Sequence, residues 1–165
     1  MDFIVAFLFF TLTLVLFYKV APNIGSDELD QLNEVQLDSE TLTEGLLSEG
    51  LPANWTNETV VRIGVARGHV LNISKYKEFC LMVSEDYPHV KGLFSLSSEF
   101  VVYLAYLNNS PIKVAGNYYA GHPSVALGTD NLPDLSSIEH KNLATITRLL
   151  VYNRTTARMV VYAWA

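Results

Sequence analysis

The chain opens with a run, residues 3–18, that contains no charged side chain and is bracketed by Asp2 and Lys19. As an α-helix the run would extend roughly 24 Å at 1.5 Å per residue, a little less than the length of about 20 apolar residues that spans a bilayer comfortably. It is apolar on all sides, so the whole cylinder has to be buried in lipid or against other helices. We therefore expect residues 1–25 to form a hydrophobic helix that holds the protein in a membrane, in an assembly, or in each in turn.

The residues around this run do not resemble those of a removable secretory signal. Such a signal has a basic segment before its apolar core and a small-x-small cleavage site after it. Here Met1 and Asp2 precede the run, and the sequence YKVAP follows it without such a site. The segment is therefore expected to remain in the protein.

Composition leaves room for one globular domain and excludes several classes of function. Half of the 165 residues are hydrophobic, and the part beyond the N-terminal helix and its extension, about 110 residues, is enough for one domain. The net charge of −6 argues against a nucleic-acid partner, because no basic stripe is present to meet phosphates. Cys80 is the sole cysteine, so no intrachain disulfide can form, and its apolar neighbours predict a buried thiol.

Residues 26–50 form a second segment with a strong acidic bias. No basic residue lies between Lys19 and Arg62, whereas acidic residues recur throughout: Asp27, Glu28, Asp30, Glu34, Asp38, Glu40, Glu44 and Glu49. The apolar residues fall on one stripe of a helix, namely Leu29, Leu32, Val35, Leu42 and Leu46. A kink or break is predicted before this helix, at Pro22 and Gly25, and its end at Gly50 and Pro52. The helix either packs on its own domain or continues the first helix as a stalk that packs partly on its own head and partly on neighbouring copies.

Residues 51–165 have the composition of a β-rich head. Strands are predicted at 59–65, 99–107 and 112–119, a short helix from Ser74, and an irregular excursion at 120–142. The chain closes with two β-rich runs on either side of a four-residue turn at 153–156, which predicts a hairpin. The expected fold class is α+β, with a long N-terminal hydrophobic helix and stalk followed by a mainly antiparallel β head.

Five tripeptides match the N-x-S/T acceptor pattern for N-linked glycosylation, and their asparagines are Asn54, Asn57, Asn72, Asn108 and Asn153. Each falls at a predicted turn or element boundary, where a bulky sugar can be carried on the surface. The alternative is that Asn, Ser and Thr are simply common in turns. Occupied acceptors on the head would place it outside the cell.

The sequence contains none of the motifs that usually carry catalysis, such as HExxH, GxSxG, a glycine-rich phosphate loop or paired cysteines. Its histidines have no i,i+3 or i,i+4 partners for zinc, and solvated turn positions are predicted for His69, His89, His122 and His140. Residues 130–134, DNLPD, carry oxygen ligands suited to calcium but follow no EF-hand pattern, so a plain loop is favoured. Tyr118 and Tyr119 form either an adhesive patch or part of the core. We expect no enzymatic activity, no cofactor and no bound metal.

The order of an apolar N-terminal helix that opens with an acidic residue, a helical stalk and a C-terminal β domain resembles archaeal type IV pilin-like proteins. The runs SEGLPANWTNETVVRIGV and RLLVYNRTTARMVVYAW also resemble segments of small archaeal surface proteins with such N-termini. The resemblance implies that a leader is removed ahead of the helix and that the mature helices pack into a filament core. The residues that it implicates in assembly are Asp2, Phe3, Phe7, Phe10, Leu14, Phe17 and Pro22.

Two features depart from the family pattern. The family's leader ends in a basic residue followed by glycine, which does not precede Met1, and Asp2 lies nearer the start than the family's acidic residue. A few missing N-terminal residues would account for both. The resemblance implies that the Asp2 charge pairs with a neighbouring subunit's terminal amine, and its position at a helix N-terminus favours the helix dipole. We therefore expect Asp2 to set the register between subunits.

The function expected from these features is that of a structural subunit of an archaeal type IV pilus-like extracellular filament, used for adhesion or surface attachment. Its partners would be copies of itself, N-linked glycans and, before assembly, the membrane, with no nucleic acid. One alternative is a monomeric, membrane-anchored extracytoplasmic domain for binding or sensing. Another is a minor pilin-like protein of a secretion or uptake machine.

Overall fold

The protein is an α+β molecule in which one long helix precedes a mainly antiparallel sheet and two shorter helices. The computed structural model describes the backbone of residues 2–136 and 138–165, and the side chains of residues 3–19, 29–136 and 138–165. The helices are α1 (Asp2–Leu47), α2 (Ile73–Glu85) and α3 (Tyr87–Leu93). The α+β class predicted from the sequence is confirmed.

Six strands form the main sheet and two more form a small hairpin beside it. The strands are β1 (Ala66–Arg67), β2 (Val70–Leu71), β3 (Glu99–Tyr106), β4 (Tyr119–Gly121), β5 (Ala126–Leu127), β6 (Pro133–Asp134), β7 (Leu143–Tyr152) and β8 (Thr155–Trp164). The main sheet has the order β1-β2-β7-β8-β3-β4, and β5 pairs with β6. All pairs are antiparallel except β2 and β7, which meet at Val70 and Val151.

Helix α1 is continuous through Pro22 and Gly25, so a break in the helix there is wrong, whereas a kink stays a prediction. A proline removes only one backbone donor from the helical ladder, and the residues on either side can continue the helix. The apolar first segment and the acidic second segment therefore belong to one helix. Its end at Leu47 lies close to the predicted stop at Gly50 and Pro52.

Among the residues of α1 whose side chains are described, those from 35 to 47 dock on the sheet. Val35, Leu42 and Leu46 are buried, and the two leucines join the main core with Leu150 of β7 and Met159 of β8. The head does not cover the start of the predicted stripe, because Leu29 and Leu32 remain exposed, with 61% of Leu29 accessible. The helix is longer than the sheet on which it packs, so the sheet cannot cover the whole apolar stripe.

Two hydroxyl side chains share the buried face of α1 at no cost in unpaired polar groups. Ser39 Oγ donates to the Gln36 carbonyl at 2.7 Å, and Thr43 Oγ1 donates to the Ser39 carbonyl at 2.6 Å. Both residues are fully buried. Because each hydroxyl bonds to its own helix, these small side chains let α1 lie close to the sheet.

Gly45 provides a second close approach, between α1 and the segment after α3. A Cβ atom at this position would lie 2.7 Å from Cε1 and 3.2 Å from Cδ1 of Phe94. The Phe94 ring is buried and packs edge-on against Phe79, with centroids 6.5 Å apart. Residue 45 therefore has to be glycine if the ring is to keep its place against α1.

The carboxylate of Asp38 ties the flank of α1 to the loop that precedes β3. Its Oδ2 accepts hydrogen bonds from the backbone N–H groups of Ser97 at 2.9 Å and Ser98 at 2.8 Å, and from Ser97 Oγ at 2.8 Å. Ser97 Oγ also contacts Glu34 Oε1 at 2.7 Å. Burial opposes ionisation of Asp38, but these hydrogen bonds outweigh it and lower the pKa of the carboxyl.

The C-terminal carbonyls of α1 explain why the strand predicted at 59–65 does not form. Val65 N donates to the Leu46 carbonyl at 2.7 Å and Ala66 N to the Ser48 carbonyl at 3.0 Å. Trp55 Nε1 donates to the Gly64 carbonyl at 2.9 Å. The backbone of this segment therefore caps a helix end instead of joining the sheet, although Ile63 and Val65 are buried as the pattern required.

The buried strand predicted at 99–107 and the hairpin predicted at the end of the chain are both confirmed with small changes. Strand β3 replaces the predicted 99–107 and is buried on both faces, and β7 and β8 form the closing hairpin. The hairpin turn has two residues and not four, because Asn153 and Arg154 both adopt positive φ and Tyr152 pairs with Thr155. Such a turn matches the right-handed twist of the strands.

Two parts of the head were predicted incorrectly. Of the strand predicted at 112–119 only Tyr119 lies in a strand, because Ala115 and Gly116 adopt positive φ and close a tight turn between Val114 and Asn117. A second helix, α3, follows α2 directly, with Asp86 accepting from His89 N at 3.0 Å as its N-cap. The excursion at 120–142 is mainly irregular, as expected, and carries the small β5–β6 hairpin.

We expect Asp38→Ala to lower the free energy of unfolding by about 1–2 kcal/mol, because three donors lose a half-buried charged acceptor. The matched control is Asp30→Ala, an exposed acid on the same helix. Because the pKa of Asp38 is lowered from its ordinary 3.8, its contribution is present above that value and is lost as the pH falls through the lowered pKa. Melting of the detergent-solubilised chain, followed by near-UV circular dichroism, should differ between wild type and Asp38→Ala at pH 7 and converge in acid. A constant difference at all pH values would contradict an ionic role.

We expect Gly45→Ala to destabilise the protein by about 1–3 kcal/mol, because the new methyl group overlaps the Phe94 ring. Gly92→Ala is the matched control, since it changes another helical glycine around which 4 Å of space is open. That control should leave the melting temperature unchanged or raise it slightly. Equal losses for both variants would mean that the approach of Phe94 to α1 is not what selects glycine.

Candidate assembly interface

The surface of residues 3–18 is apolar and exposed around the whole circumference of α1. Exposed fractions range from 41% for Leu14 to 81% for Phe3, and Phe10 is 65% exposed. Single exposed apolar side chains are ordinary on a protein surface, but a contiguous apolar surface of this length marks an interaction site. This apolar segment, residues 3–18, is the strongest candidate for a functional site in the described part of the chain.

The two threonine side chains in the apolar segment are satisfied within the helix. Thr11 Oγ1 donates to the Phe7 carbonyl at 2.7 Å, and Thr13 Oγ1 donates to the Phe9 carbonyl at 2.8 Å. Neither hydroxyl therefore needs water or a partner as a hydrogen-bond acceptor. Residues 3–17 can therefore be buried against another apolar surface without leaving an unpaired side-chain donor, and the Tyr18 hydroxyl lies at the end of the segment.

The residues predicted to act in assembly fall on this surface wherever their side chains are described. The exposed ones are Phe3, Phe7, Phe10, Leu14 and Phe17. The side chains of Asp2 and Pro22 lie outside the described residues, and so does Met1. Within the described part of the chain, no helix combines the length and the apolar character that crossing a membrane requires.

Apolar exposure continues on α1 between the apolar segment and the docked residues. Leu29, Leu32 and Leu37 are all exposed, and Leu37 is 64% accessible. Leu37 lies outside the stripe predicted from the sequence and was missed there. The signal that could have found it is an apolar residue on the acidic side of an otherwise amphipathic helix.

All five predicted glycosylation acceptors, Asn54, Asn57, Asn72, Asn108 and Asn153, lie on the exposed surface. Three of them cluster at one end of the main sheet: Asn153 is in the β7–β8 turn, Asn108 follows β3, and Asn72 follows β2. Residues 34–38 of α1 lie at the opposite end, beside Ser97 and the start of β3. The attachment of sugars at these positions stays a prediction.

A groove of roughly 870 Å³ lies between the C-terminal part of α2, the start of α3 and the residues before β4. Cys80 and Tyr118 are among its lining residues, and Lys113 Nζ lies 5.3 Å from the centre of the Tyr118 ring. Burial raises the pKa of the Cys80 thiol to about 12, so the thiolate is not available as a nucleophile. The prediction of a buried, unreactive cysteine is confirmed for burial.

The histidines do not converge on a metal site. In the described residues no group of three or more His, Cys, Asp or Glu side chains could hold an ion. His69 occupies the β1–β2 turn, whereas His89 lies in α3, so the turn prediction is wrong for His89. His122 begins a turn that ends at Val125 but is half-buried, so a solvated position is wrong for it. The His122 ring packs edge-on against Tyr87 and Trp164, and its Nε2 lies 4.0 Å from Glu99 Oε2.

Glu99 is held mainly by Lys91, with Nζ and Oε1 2.7 Å apart in a partly buried pair. Burial opposes ionisation of Glu99, but this pair and the neighbouring Tyr87 hydroxyl lower the pKa of its carboxyl. The arrangement links α3 to β3 and the residue after β4. It supports packing of the head and offers no nucleophile with an adjacent base.

Tyr118 and Tyr119 are both half-buried, but their surroundings differ. Tyr119 packs against the buried residues of the second sheet face and donates its hydroxyl to the Val125 carbonyl. It therefore belongs to the core, as one alternative held. Tyr118 lines the groove and keeps part of its ring accessible.

We expect loss of Asn72 to act in two ways, because its side chain is also the N-cap of α2. Asn72 Oδ1 accepts from the backbone N–H groups of Ser74 at 3.1 Å and Lys75 at 3.3 Å. Asn72→Ala should remove both the glycosylation site and the helix cap, and loss of the cap should lower the free energy of unfolding by about 1 kcal/mol. Ser74→Ala should remove the glycosylation motif and keep the cap. Glycopeptide mass spectrometry and thermal melts of the two variants separate the effects. Equal melting temperatures would show that the cap contributes nothing.

Comparisons of the chain with protein-family models, with curated proteins and with solved structures find no match. The resemblance to archaeal type IV pilin-like proteins therefore depends on the N-terminal pattern and on the order of the elements.

Proposed function

We propose that the protein is a structural subunit of an extracellular filament of the archaeal type IV pilus kind, which polymerises through the apolar segment and serves adhesion or surface attachment. The observation that carries this proposal is the exposure of residues 3–18 on every side of one helix that is docked at its other end. The docked end fixes the helix to a folded head. The exposed end is left to pack against other molecules.

Water is a poor environment for this segment. Its apolar surface is on the order of 1,500 Å², and at about 25 cal/mol/Å² its exposure costs tens of kcal/mol. Identical helices that pack together remove that surface from water. Because the apolar segment of one copy meets a different part of the next, the contact is heterologous and can continue into a helical polymer.

The exposed leucines beyond the apolar segment favour assembly over a simple lipid anchor. Leu32 lies 14 positions after Tyr18 in the same helix, which corresponds to about 21 Å at 1.5 Å per residue. A bilayer that holds residues 3–18 would not reach Leu32 or Leu37. The helix or head of a neighbouring copy can cover both.

The predicted glycans suit a coat on the outside of such a filament. Asn72, Asn108 and Asn153 lie at the end of the sheet opposite the residues through which α1 enters it. Sugars there would not obstruct packing of the apolar segments. Before assembly the apolar segment would be held in the membrane, and the assembled protein would be at the cell surface.

We expect Phe10→Glu to abolish filaments, because assembly would bury an unpaired carboxylate among apolar helices at a cost of several kcal/mol. The matched control is Leu107→Glu, which places the same charge on a residue that is 59% exposed in the head. Filaments in sheared, detergent-free surface material are counted by electron microscopy, and mass spectrometry identifies the chain and its glycopeptides.

Normal filament yield for Phe10→Glu would contradict the proposal. Recovery of the unmodified chain only in detergent, as single particles, would instead support the alternative of a monomeric membrane-anchored domain for binding or sensing. Near-UV circular dichroism of both variants checks that the head remains folded.

A further inference from the structure

The long strand β7 has an open edge. Its other side pairs with β8, whereas β2 pairs with it only at Val151, which donates its N–H to the His69 carbonyl at 2.8 Å. Along β7 the backbone N–H and C=O groups of successive residues point alternately inward, towards β8, and outward, towards the open edge. Because the N–H of Val151 points outward to His69, every second residue counted from Val151 also has outward backbone groups. The free outward groups belong to Leu143, Thr145, Thr147 and Leu149. Among the described residues no backbone hydrogen bond reaches them.

The side chains of these four residues are also exposed. Leu149 is 58% accessible. The neighbouring strand β8 on the same face is covered by Leu132, Leu135 and Ile138 of the excursion, so the exposed row forms the uncovered margin of a packed sheet face. An open edge of this length, rich in residues that favour strands, is a template for pairing with another chain.

The outward residues of the edge read the same in both directions, whereas Ala144 and Arg148 between them differ. The outward residues follow the order Leu-x-Thr-x-Thr-x-Leu, symmetric about Ile146. If a second copy is laid antiparallel beside the first, Leu143 lies opposite Leu149, and Thr145 lies opposite Thr147. Each outward residue then donates and accepts one backbone hydrogen bond, and like side chains pair across the strands.

The ends of the open edge limit the register. Strand β2 occupies the position beside Val151, so a second strand cannot extend past Leu149. Shifting the second copy in one direction brings it against β2, and shifting it in the other leaves outward groups unpaired. The symmetric register is the one that uses all four outward residues.

Charge complementarity favours a second copy as the occupant. Arg148 is exposed, lies on the sheet face that carries α1, and makes no ion pair among the described residues. Glu40 lies on the flank of α1 opposite Asp38, because residues two apart on a helix differ by about 200°. Asp38 bonds to the loop before β3, which places Glu40 on the flank of α1 on the β7 side, where its Oε1 accepts from Gln36 Nε2 at 3.1 Å. In the symmetric register Arg148 lies opposite Ala144, away from the other Arg148 and on the side of the partner's acidic helix.

We propose that β7 is a second self-association surface, at which two copies of the chain join their sheets by antiparallel β7–β7 pairing about a twofold axis at Ile146. Helix α1 runs along β7, so the α1 helices of the two copies point in opposite directions. Subunits within one polar filament share a direction. The β7 contact therefore joins copies of opposite polarity, such as subunits of two antiparallel filaments lying side by side, and it does not rest on the proposed filament.

The test uses the full chain in detergent micelles, which cover the apolar segment. Sedimentation velocity over a concentration series should show a monomer–dimer equilibrium. Thr145→Lys with Thr147→Lys places lysines opposite each other twice, and should raise the dimer dissociation constant at least about tenfold. Thr145→Lys with Thr147→Glu turns both contacts into Lys–Glu pairs, and should restore it to within about twofold of wild type. Thr129→Lys with Thr156→Lys adds the same charge away from the edge and should change little.

A chain that stays monomeric at all concentrations would overturn the proposal. A dimer that the Lys/Lys variant leaves intact, or that the Lys/Glu variant fails to restore, would also overturn it, because the register would be wrong or the dimer would form through α1. Melting temperatures close to wild type show that the exposed substitutions leave the fold intact. Filament counts of the Lys/Lys variant are a separate readout, since polymerisation through residues 3–18 does not require β7.

Discussion

The packing of residues 35–47 of α1 across the β7–β8 hairpin is the interaction on which the rest of the structure depends. Leu42 and Leu46 close the main core from the outside, together with Leu150 and Met159. The same contact fixes one end of a helix whose other end is apolar and uncovered. It also places α1 along β7 and leaves the strand's outer edge free. The exposure of the apolar segment follows from where this docked region begins.

The sequence predicts the parts of this structure in which local pattern and tertiary environment agree. The uncharged run, the buried strand near Phe100 and the closing hairpin each have one strong periodicity and clear turn residues. The predictions failed where the backbone of a segment hydrogen-bonds to a part of the chain that is distant in sequence, or where short-range turn geometry decides the structure. Residues 59–65 look like a strand, but Val65 bonds to the end of α1. The turn at Ala115 and Gly116 and the whole of α3 depend on short-range geometry that apolar spacing does not reveal.

The candidate assembly interface, too, could be predicted from the sequence only in part. Exposure of Phe3, Phe10 and the other assembly residues follows from composition alone, because a helix that is apolar on all sides cannot be covered by one small domain. The extent of the docked region could not be predicted in this way. The stripe from Leu29 to Leu46 is continuous in sequence, and only the position of the Ser97–Ser98 loop shows where the head ends. The open edge of β7 likewise depends on which strands pair, and a strand of two residues, β2, decides it.

The direction in which α1 crosses the sheet has a mechanical consequence. A pull on the apolar segment would act along α1, whose docked residues begin beside Ser97 and Ser98 before β3 and end beside Val65. The buried side chains of residues 35–47, the Asp38 hydrogen bonds and the carbonyls held by Val65 and Ala66 would then be loaded together in shear. Contacts loaded in parallel break at a higher force than contacts that are peeled one after another. The head would therefore stay attached under tension for as long as its unfolding rate allows.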